Sequence, residues 1–483
     1  MMTSTTPLAV RVPCSLLLCV LASLAVACDP GEDSTSTQRQ RPKSLLLVTI
    51  DTMRADHVGA YGYPIDMTPV LDELAERGVL FERAYAPMPQ TLPSHATIMT
   101  GLMPRDHGAL ENSFVLNSRV ETLAEVLGAK GYGTAAYIGA LALAKDTGIA
   151  QGFDVFDQPI NGVKQGLPGP AEREADETTE RALAWADEAD PEQPFFLWLH
   201  YFDPHMTHVA PRRFGREVSP LRVRDEVITP IFDGLDYGNP EKLKWRWHGY
   251  ASEVHFTDVQ LGRLLEGLQQ RQLLDDTVVA VMGDHGEGLF QHRELGHGLY
   301  LWEEQLRVPF MVAHPDGEQA GTRVAEPVAL HDVMKTLLSM TVGEQDAAAH
   351  GVGTDPGLDL WSLVKAGRAV PQRPIFLEQP HHSEAVLKPR MGGRYTPGIL
   401  SAVMMSDHKL IRSGDGSLSL YDLQSDARET TDLVETQPEE ARRLSLLLDR
   451  WLLDHDVGRD SGKPVLSAER EAALRALGYL GDG

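Results

Sequence analysis

The sequence predicts a doubly wound α/β sheet flanked by helices, with a small C-terminal α+β subdomain, and three observations lead there. Short apolar runs alternate with amphipathic helical patterns along most of the chain. Polar residues stand where several of those runs stop, as in an open sheet whose strands end at a ligand. The 483 residues, 42% hydrophobic and 23% charged, are enough for one large core and an appendage.

From the amino terminus, Arg11 precedes the apolar run SLLLCVLASLAVA, which is too short for a stable membrane anchor and reads as an export signal. Ala25, Val26 and Ala27 lead into Cys28 in the manner of a bacterial lipoprotein cleavage site, although Ala25 stands where Leu or Val is usual. Simple secretion is the alternative. Residues 1–28 are thus assigned to the signal and 29–43 to a polar, unpatterned tether. The expected location is the periplasm or the cell surface, with the membrane reached only through a lipid on Cys28. Cys14, Cys19 and Cys28 are the only cysteines, so the mature part has no disulfide framework, no thiolate zinc site and no cysteine nucleophile. A formal net charge of -25 repels a phosphate backbone and excludes nucleic acid as a partner.

Residues 44–395 read as the catalytic domain. SLLLVTID is a buried strand ending at Asp51; GTAAYIGA, PFFLWLHYFD, TVVAVMGDHGEG and RVPFMVAHP repeat the design. PVLDELAERG and VQLGRLLEGLQQRQ are amphipathic helices between them. In PMPQTLPSHATIMTG, Pro93 and Ser94 break the run and Ala96 to Met99 favour helix, the shape of a loop that presents Thr91 and then enters a helix. Asp51, Asp203, Asp284 and His285 all fall at strand ends. A lone Asp there is ordinarily a cap or turn residue. Asp284 and His285 differ, because two metal-competent side chains leave a buried strand together in a Gly-flanked turn. His95, His205, His208 and His297 gain weight only in their company. From residue 396 onward, GILSAVMMSDHKLIRSGDGSLSLYDLQ alternates like a short antiparallel sheet with a turn at Gly414 to Gly416. The helix QPEEARRLSLLLDRWLLDH follows, and SAEREAALRALGYL closes the chain as a capped amphipathic helix. Asp426 and Glu429 are turn and capping residues.

DTMRADHVGAYG, TLPSHATIMTGLMPRDHG, LHYFDPHMTH, GDHGEGLFQHRELGHGLYLWEEQLRVPF and LYDLQSDARETTDL appear in the order in which sulfatases of the alkaline phosphatase superfamily carry their counterparts. From about Lys43 to the C-terminus the chain resembles that family. The resemblance implies the superfamily fold and a metal-dependent ester hydrolase. It implies Asp51, Thr91, Asp284 and His285 around one divalent metal, Thr91 as the nucleophile, and His205 and His297 around the transferred group and the leaving group. His95 joins them as a catalytic candidate. Zn²⁺ or Mn²⁺ suits one imidazole with several oxygens, Ca²⁺ fits by family analogy, and a second metal would need Asp203, His205, His208 and His297.

The departures bear on the chemistry. Sulfatases place a Cys or Ser before x-Pro-x-Arg and oxidise it to an aldehyde; here the positions read Thr91, Leu92, Pro93, Ser94 and His95. Thr52 replaces a second metal carboxylate, and GALALAKDTG replaces a segment that supplies a sulfate-pocket Lys and His, leaving Lys145 out of register. An aldehyde hydrate can expel sulfate by collapsing back, whereas threonine would be left as a stable sulfo-ester. A phospho-threonine is open to in-line attack by water. The ligand set is also similar to that of phosphoethanolamine transferases and lipoteichoic acid synthases, which use a threonine. The expectation is therefore an exported hydrolase of phosphate mono- or diesters on a small-molecule, glycan or lipid substrate. The alternatives are a sulfuric ester hydrolase without the oxidised nucleophile, and an inactive binding lipoprotein.

Overall fold

A computed structural model describes residues 43–159, 163–164, 167–168, 172–206, 208–217, 240–292, 294–379 and 399–455. The signal, residues 29–42 of the tether, Cys28 and the closing helix lie outside them. Among the described residues no helix is long and apolar enough to cross a membrane.

A nine-stranded sheet organises the domain. Its strands are β1 (Ser44–Ile50), β2 (Val79–Tyr85), β3 (Gly133–Ile138), β4 (Val155–Asp157), β5 (Phe195–Tyr201), β6 (Thr277–Gly283), β7 (Arg307–Ala313), β8 (Thr322–Val324) and β9 (Val328–Ala329). Their order is β8-β2-β7-β6-β1-β5-β3-β4, with β9 also on β2. Strand β1 is central and parallel to both neighbours, so Ile50 lies level with Tyr201 of β5 and Gly283 of β6. Every residue of β1, β5 and β6 is buried, which is why these strands read as continuous apolar runs. Strand β7 runs antiparallel between β6 and β2, a departure from the repeated design read in the sequence. Among the described residues the segment between β6 and β7 carries a two-stranded ribbon, Gly288–Leu289 with Leu295–Gly296, and a four-residue helical turn, Glu303–Leu306, but no crossover helix of the kind that returns a chain in parallel.

Two apolar layers cover the sheet. One contains Leu45, Leu47, Phe196, Trp198 and Met282 with helix α2 (Thr91–Thr100); the other contains Leu46, Val48, Leu197 and Leu199 with Trp247, Tyr250 and Val254 of α4 (Pro240–Gln270). Helix α1 (Pro69–Arg77) and helix α3 (Ala175–Ala186) belong to the second layer. Four antiparallel strands, β10 (Ile375–Gln379), β11 (Leu400–Met405), β12 (His408–Arg412) and β13 (Leu418–Asp422), form a separate small sheet whose first strand precedes residue 396. The expected turn follows β12, with Gly416 at φ 86. Helix α5 (Pro438–Asp454) packs Leu444, Leu448 and Trp451 against this sheet.

Candidate active site

Helix α2 starts at Thr91, earlier than the loop-then-helix reading, and carries Pro93 and Ser94 within its first turn. The first turn tolerates proline because its N–H groups have no intrahelical acceptor. Leu92 N–H donates instead to Asn112 Oδ1 at 2.8 Å. Thr91 is thereby fixed, fully buried, with its hydroxyl 3.4 Å from His285 Nε2.

Strand ends supply the rest. Asp51 follows β1 and the pair Asp284-His285 follows β6; their ligand atoms all lie within 4.8 Å of one another and are buried. Close backbone approach dictates the glycines around them. A Cβ on Gly283 would sit 2.6 Å from Met53 O, and one on Gly286 would sit 2.1 Å from Glu304 O. Asp284 Oδ1 accepts the N–H groups of Thr52 (3.1 Å) and His285 (2.7 Å). His285 Nδ1 donates to Gly286 O at 3.0 Å, which leaves Nε2 bare and facing Asp51 Oδ1 (3.7 Å) and Asp284 Oδ2 (3.5 Å). Thr52 adopts φ 53, a strained conformation for a β-branched residue, and its carbonyl accepts the Tyr250 hydroxyl at 2.8 Å.

Both oxygens of Asp51, Oδ2 of Asp284 and Oγ1 of Thr52 are buried with no hydrogen-bond partner among the described residues. Orphaned buried acceptors facing a bare imidazole nitrogen are the donor set of a divalent cation. Burial first, and Glu172 second, hold the Asp51 carboxyl well above the usual range; burial and then Asp51 do the same to Asp284. Burial pushes His285 down to about 3, keeping it a neutral donor.

His205 and His297 meet with Nε2 atoms 3.1 Å apart, and the His297 ring centre is 4.3 Å from that of His285. Their Nδ1 atoms are hydrogen-bonded to Met206 O (2.9 Å) and Pro89 O (3.1 Å), so both rings turn Nε2 inward. His95 lies one turn below Thr91, fully buried, with Nδ1 2.7 Å from Thr91 O and 3.5 Å from Asp284 Oδ2. It faces the core behind the nucleophile. Asp203 accepts the Ala175 N–H at 2.8 Å ahead of α3, and His208 pairs with Glu253 at 3.3 Å. Both are thus engaged away from the Asp51 cluster. His314, Asp316 and Glu318 form the other metal-competent group among the described residues, but Lys43 and Lys365 already pair with its carboxylates.

Sequence reasoning passed over His200 and Glu287. His200 is the sixth residue of the buried strand β5, and its Nε2 lies 3.4 Å from Asp51 Oδ2. Glu287 is fully buried, with neither carboxylate oxygen hydrogen-bonded among the described residues. A histidine inside an otherwise apolar strand was the available signal for the first. A carboxylate in the turn after β6 was the signal for the second.

The family model described as Sulfatase matches residues 43–343. The chain belongs to the sulfatase family. This sulfatase is 27% identical over 351 residues to an ulvan-active sulfatase of Formosa agariphila, a match covering 67% of this chain and 66% of that protein. It is 27% identical over 394 residues to the multifunctional alkaline phosphatase superfamily protein PehA of Trinickia caryophylli, covering 64% and 76%. Among solved structures, the phosphonate monoester hydrolase of Agrobacterium radiobacter shares its fold, with TM-score 0.64, 21% identity and coverage of 86% and 96%. The sulfatase is a hydrolase with the mixed α/β fold and small antiparallel C-terminal sheet expected of it, and Asp51, Asp284 and His285 form its candidate site for a divalent metal.

Proposed function

We propose that this sulfatase-family hydrolase cleaves phosphate mono- or diesters in preference to sulfate esters, with Thr91 as its nucleophile. One observation carries the reading: the side chain 3.4 Å from His285 Nε2, at the cluster of Asp51, Asp284 and His285, is a threonine hydroxyl. Asp51, Thr91, Asp284 and His285 would hold the cation, which supplies charge neutralisation at the transferred group and lowers the pKa of a hydroxyl. Thr91 Oγ bonds to phosphorus as the bond to the ester oxygen breaks, and the Thr91 hydroxyl proton ends on that departing oxygen, relayed by the inward Nε2 atoms of the His205–His297 pair. Water then cleaves the threonyl ester, its oxygen going to phosphorus and a proton to Thr91 Oγ, which releases phosphate from a monoester or a phosphate monoester from a diester and returns the hydroxyl. A phosphate monoester carries more charge than a sulfate monoester, so the same cation favours it more.

Relatives supply the second reading. PehA is described as a multifunctional member of the alkaline phosphatase superfamily, whereas the Formosa protein acts on ulvan as a sulfatase, which favours a sulfuric ester on a glycan. A purely binding role is opposed by the convergence of Asp51, Asp284 and His285 beside the Thr91 hydroxyl. The export reading, with lipidation at Cys28, would put substrate encounter in the periplasm or at the cell surface. Matched aryl phosphate, aryl phosphonate and aryl sulfate substrates, assayed with added Zn²⁺, Mn²⁺ or Ca²⁺, test the proposal. Faster release of phosphate is expected. Faster repeated turnover of the sulfate would overturn it in favour of the second reading.

A further inference from the structure

Beneath the site, four fully buried side chains meet at one hydroxyl. Thr49 Oγ1 lies 2.9 Å from His95 Nε2, 3.1 Å from His200 Nδ1 and 3.0 Å from Trp198 Nε1. Donors and acceptors can be assigned from chemistry alone. The indole N–H only donates, so it occupies one lone pair of Thr49. The Thr91 carbonyl only accepts, so the His95 Nδ1 atom 2.7 Å from it carries hydrogen. Neutral His95 has spent its one hydrogen there, so its Nε2, at 2.9 Å, takes the Thr49 hydroxyl hydrogen in preference to the Leu199 carbonyl at 3.5 Å. The second lone pair of Thr49 then accepts from His200 Nδ1. His200 is left with a bare Nε2, which has no hydrogen-bond partner among the described residues and points to Asp51 Oδ2 at 3.4 Å.

A bare ring nitrogen against an ionised carboxylate oxygen is repulsive in a dry interior. The contact becomes favourable when a cation sits beside both atoms, and 3.4 Å is the spacing of neighbouring ligands on one ion of this size. We propose that Thr49 sets His200 in the Nδ1–H tautomer so that its Nε2 serves as a further nitrogen donor to the divalent cation beside Asp51. This donor would stand in for the carboxylate missing at Thr52. His200 approaches from the Oδ2 side of Asp51, while His285 and Asp284 face the cluster that includes Oδ1. Thr49 is then a positioning residue, acting on the cation through His200 and on the nucleophile's backbone through His95. The inference rests on the reading of Asp51, Asp284 and His285 as a cation site, and its test separates the two.

The full-length protein, labelled with ¹⁵N at histidine, is titrated with Cd²⁺ alone and followed by ring ¹H–¹⁵N correlations. His200→Gln and His285→Gln assign the two rings. Without metal, His200 is expected as Nδ1–H with bare Nε2, and Cd²⁺ is expected to shift the Nε2 resonances of His200 and His285 together. In a calorimetric Cd²⁺ titration, His200→Gln and Thr49→Val should each weaken binding by about 10–100-fold, and Thr49→Ser should regain most of that loss because it restores the hydroxyl. A merely structural Thr49 would alter melting without changing the His200 tautomer. Hydrogen on His200 Nε2 in the metal-free protein overturns the inference, as does a His200 signal unmoved while His285 shifts. If neither ring responds and Asp284→Asn binds Cd²⁺ like the parent, the cation site itself falls.

Discussion

Replacing Asp51 by Asn should make the metal-free protein more stable while destroying its response to metal. Asp51 and Asp284 present carboxylate oxygens no more than 4.8 Å apart, fully buried, and neither Asp51 oxygen has a hydrogen-bond partner among the described residues. Two unit charges at that distance repel by about 3.5 kcal/mol at an effective dielectric constant of 20. Protonation of one carboxyl relieves part of this, so Asp51→Asn should return on the order of 1–3 kcal/mol, a rise in Tm of about 1–3 °C for a chain of this size at pH 8 in EDTA. Zn²⁺ at one hundred times its Kd should stabilise the parent by about 2.7 kcal/mol and leave the variant unmoved. Differential scanning fluorimetry with EDTA or Zn²⁺ reads both effects. A variant that melts below the parent in EDTA would refute the reasoning, since it would mean that Asp51 makes interactions the fold needs.

Thr91→Ala should lower kcat at least about a hundredfold with Tm nearly unchanged, and Thr91→Ser should retain part of the activity, as steady-state kinetics with an aryl phosphate will show. His297→Ala should lower kcat by about 10²–10⁴ for a poor leaving group and much less for a nitrophenolate, which leaves without a proton. The metal-induced rise in Tm should grow between pH 5 and pH 8. Asp51 and Asp284 are held above the ordinary carboxylate range, by burial first and then by Glu172 and by Asp51 respectively. The ion-free fold is therefore favoured at low pH and loses stability as pH rises through those values, whereas a cation requires the ionised forms. Melting curves across that range with and without Zn²⁺ check the sign.

Strand ends were the most legible feature of this sequence. Apolar runs that stop at Asp51 and at Asp284-His285 signal positions where buried central strands end, and those side chains do converge. Less legible was anything set by the partner rather than by the segment. His200 lies within a strand covered on both faces, so no alternation distinguishes the face turned to Asp51. Thr49 likewise reads as one more β-branched strand residue until the register places it beside His200. The antiparallel entry of β7 was hidden because its run, RVPFMVA, is as apolar as its parallel neighbours. The start of α2 was misplaced because Pro93 looks like a breaker unless it falls in the first turn, where Gln90 as N-cap puts it.

The parallel register of β5, β1 and β6 also bears on how the protein matures. Asp51 faces Asp284 only after segments about 232 residues apart have paired, and His200 reaches Thr49 across 151 residues. A slip of one residue would send Asp51 to the opposite face of the sheet. Pairings of such high contact order form late and slowly. Cation capture is then a late event in folding, and the kinetics of metal uptake during refolding report when the central strands have locked.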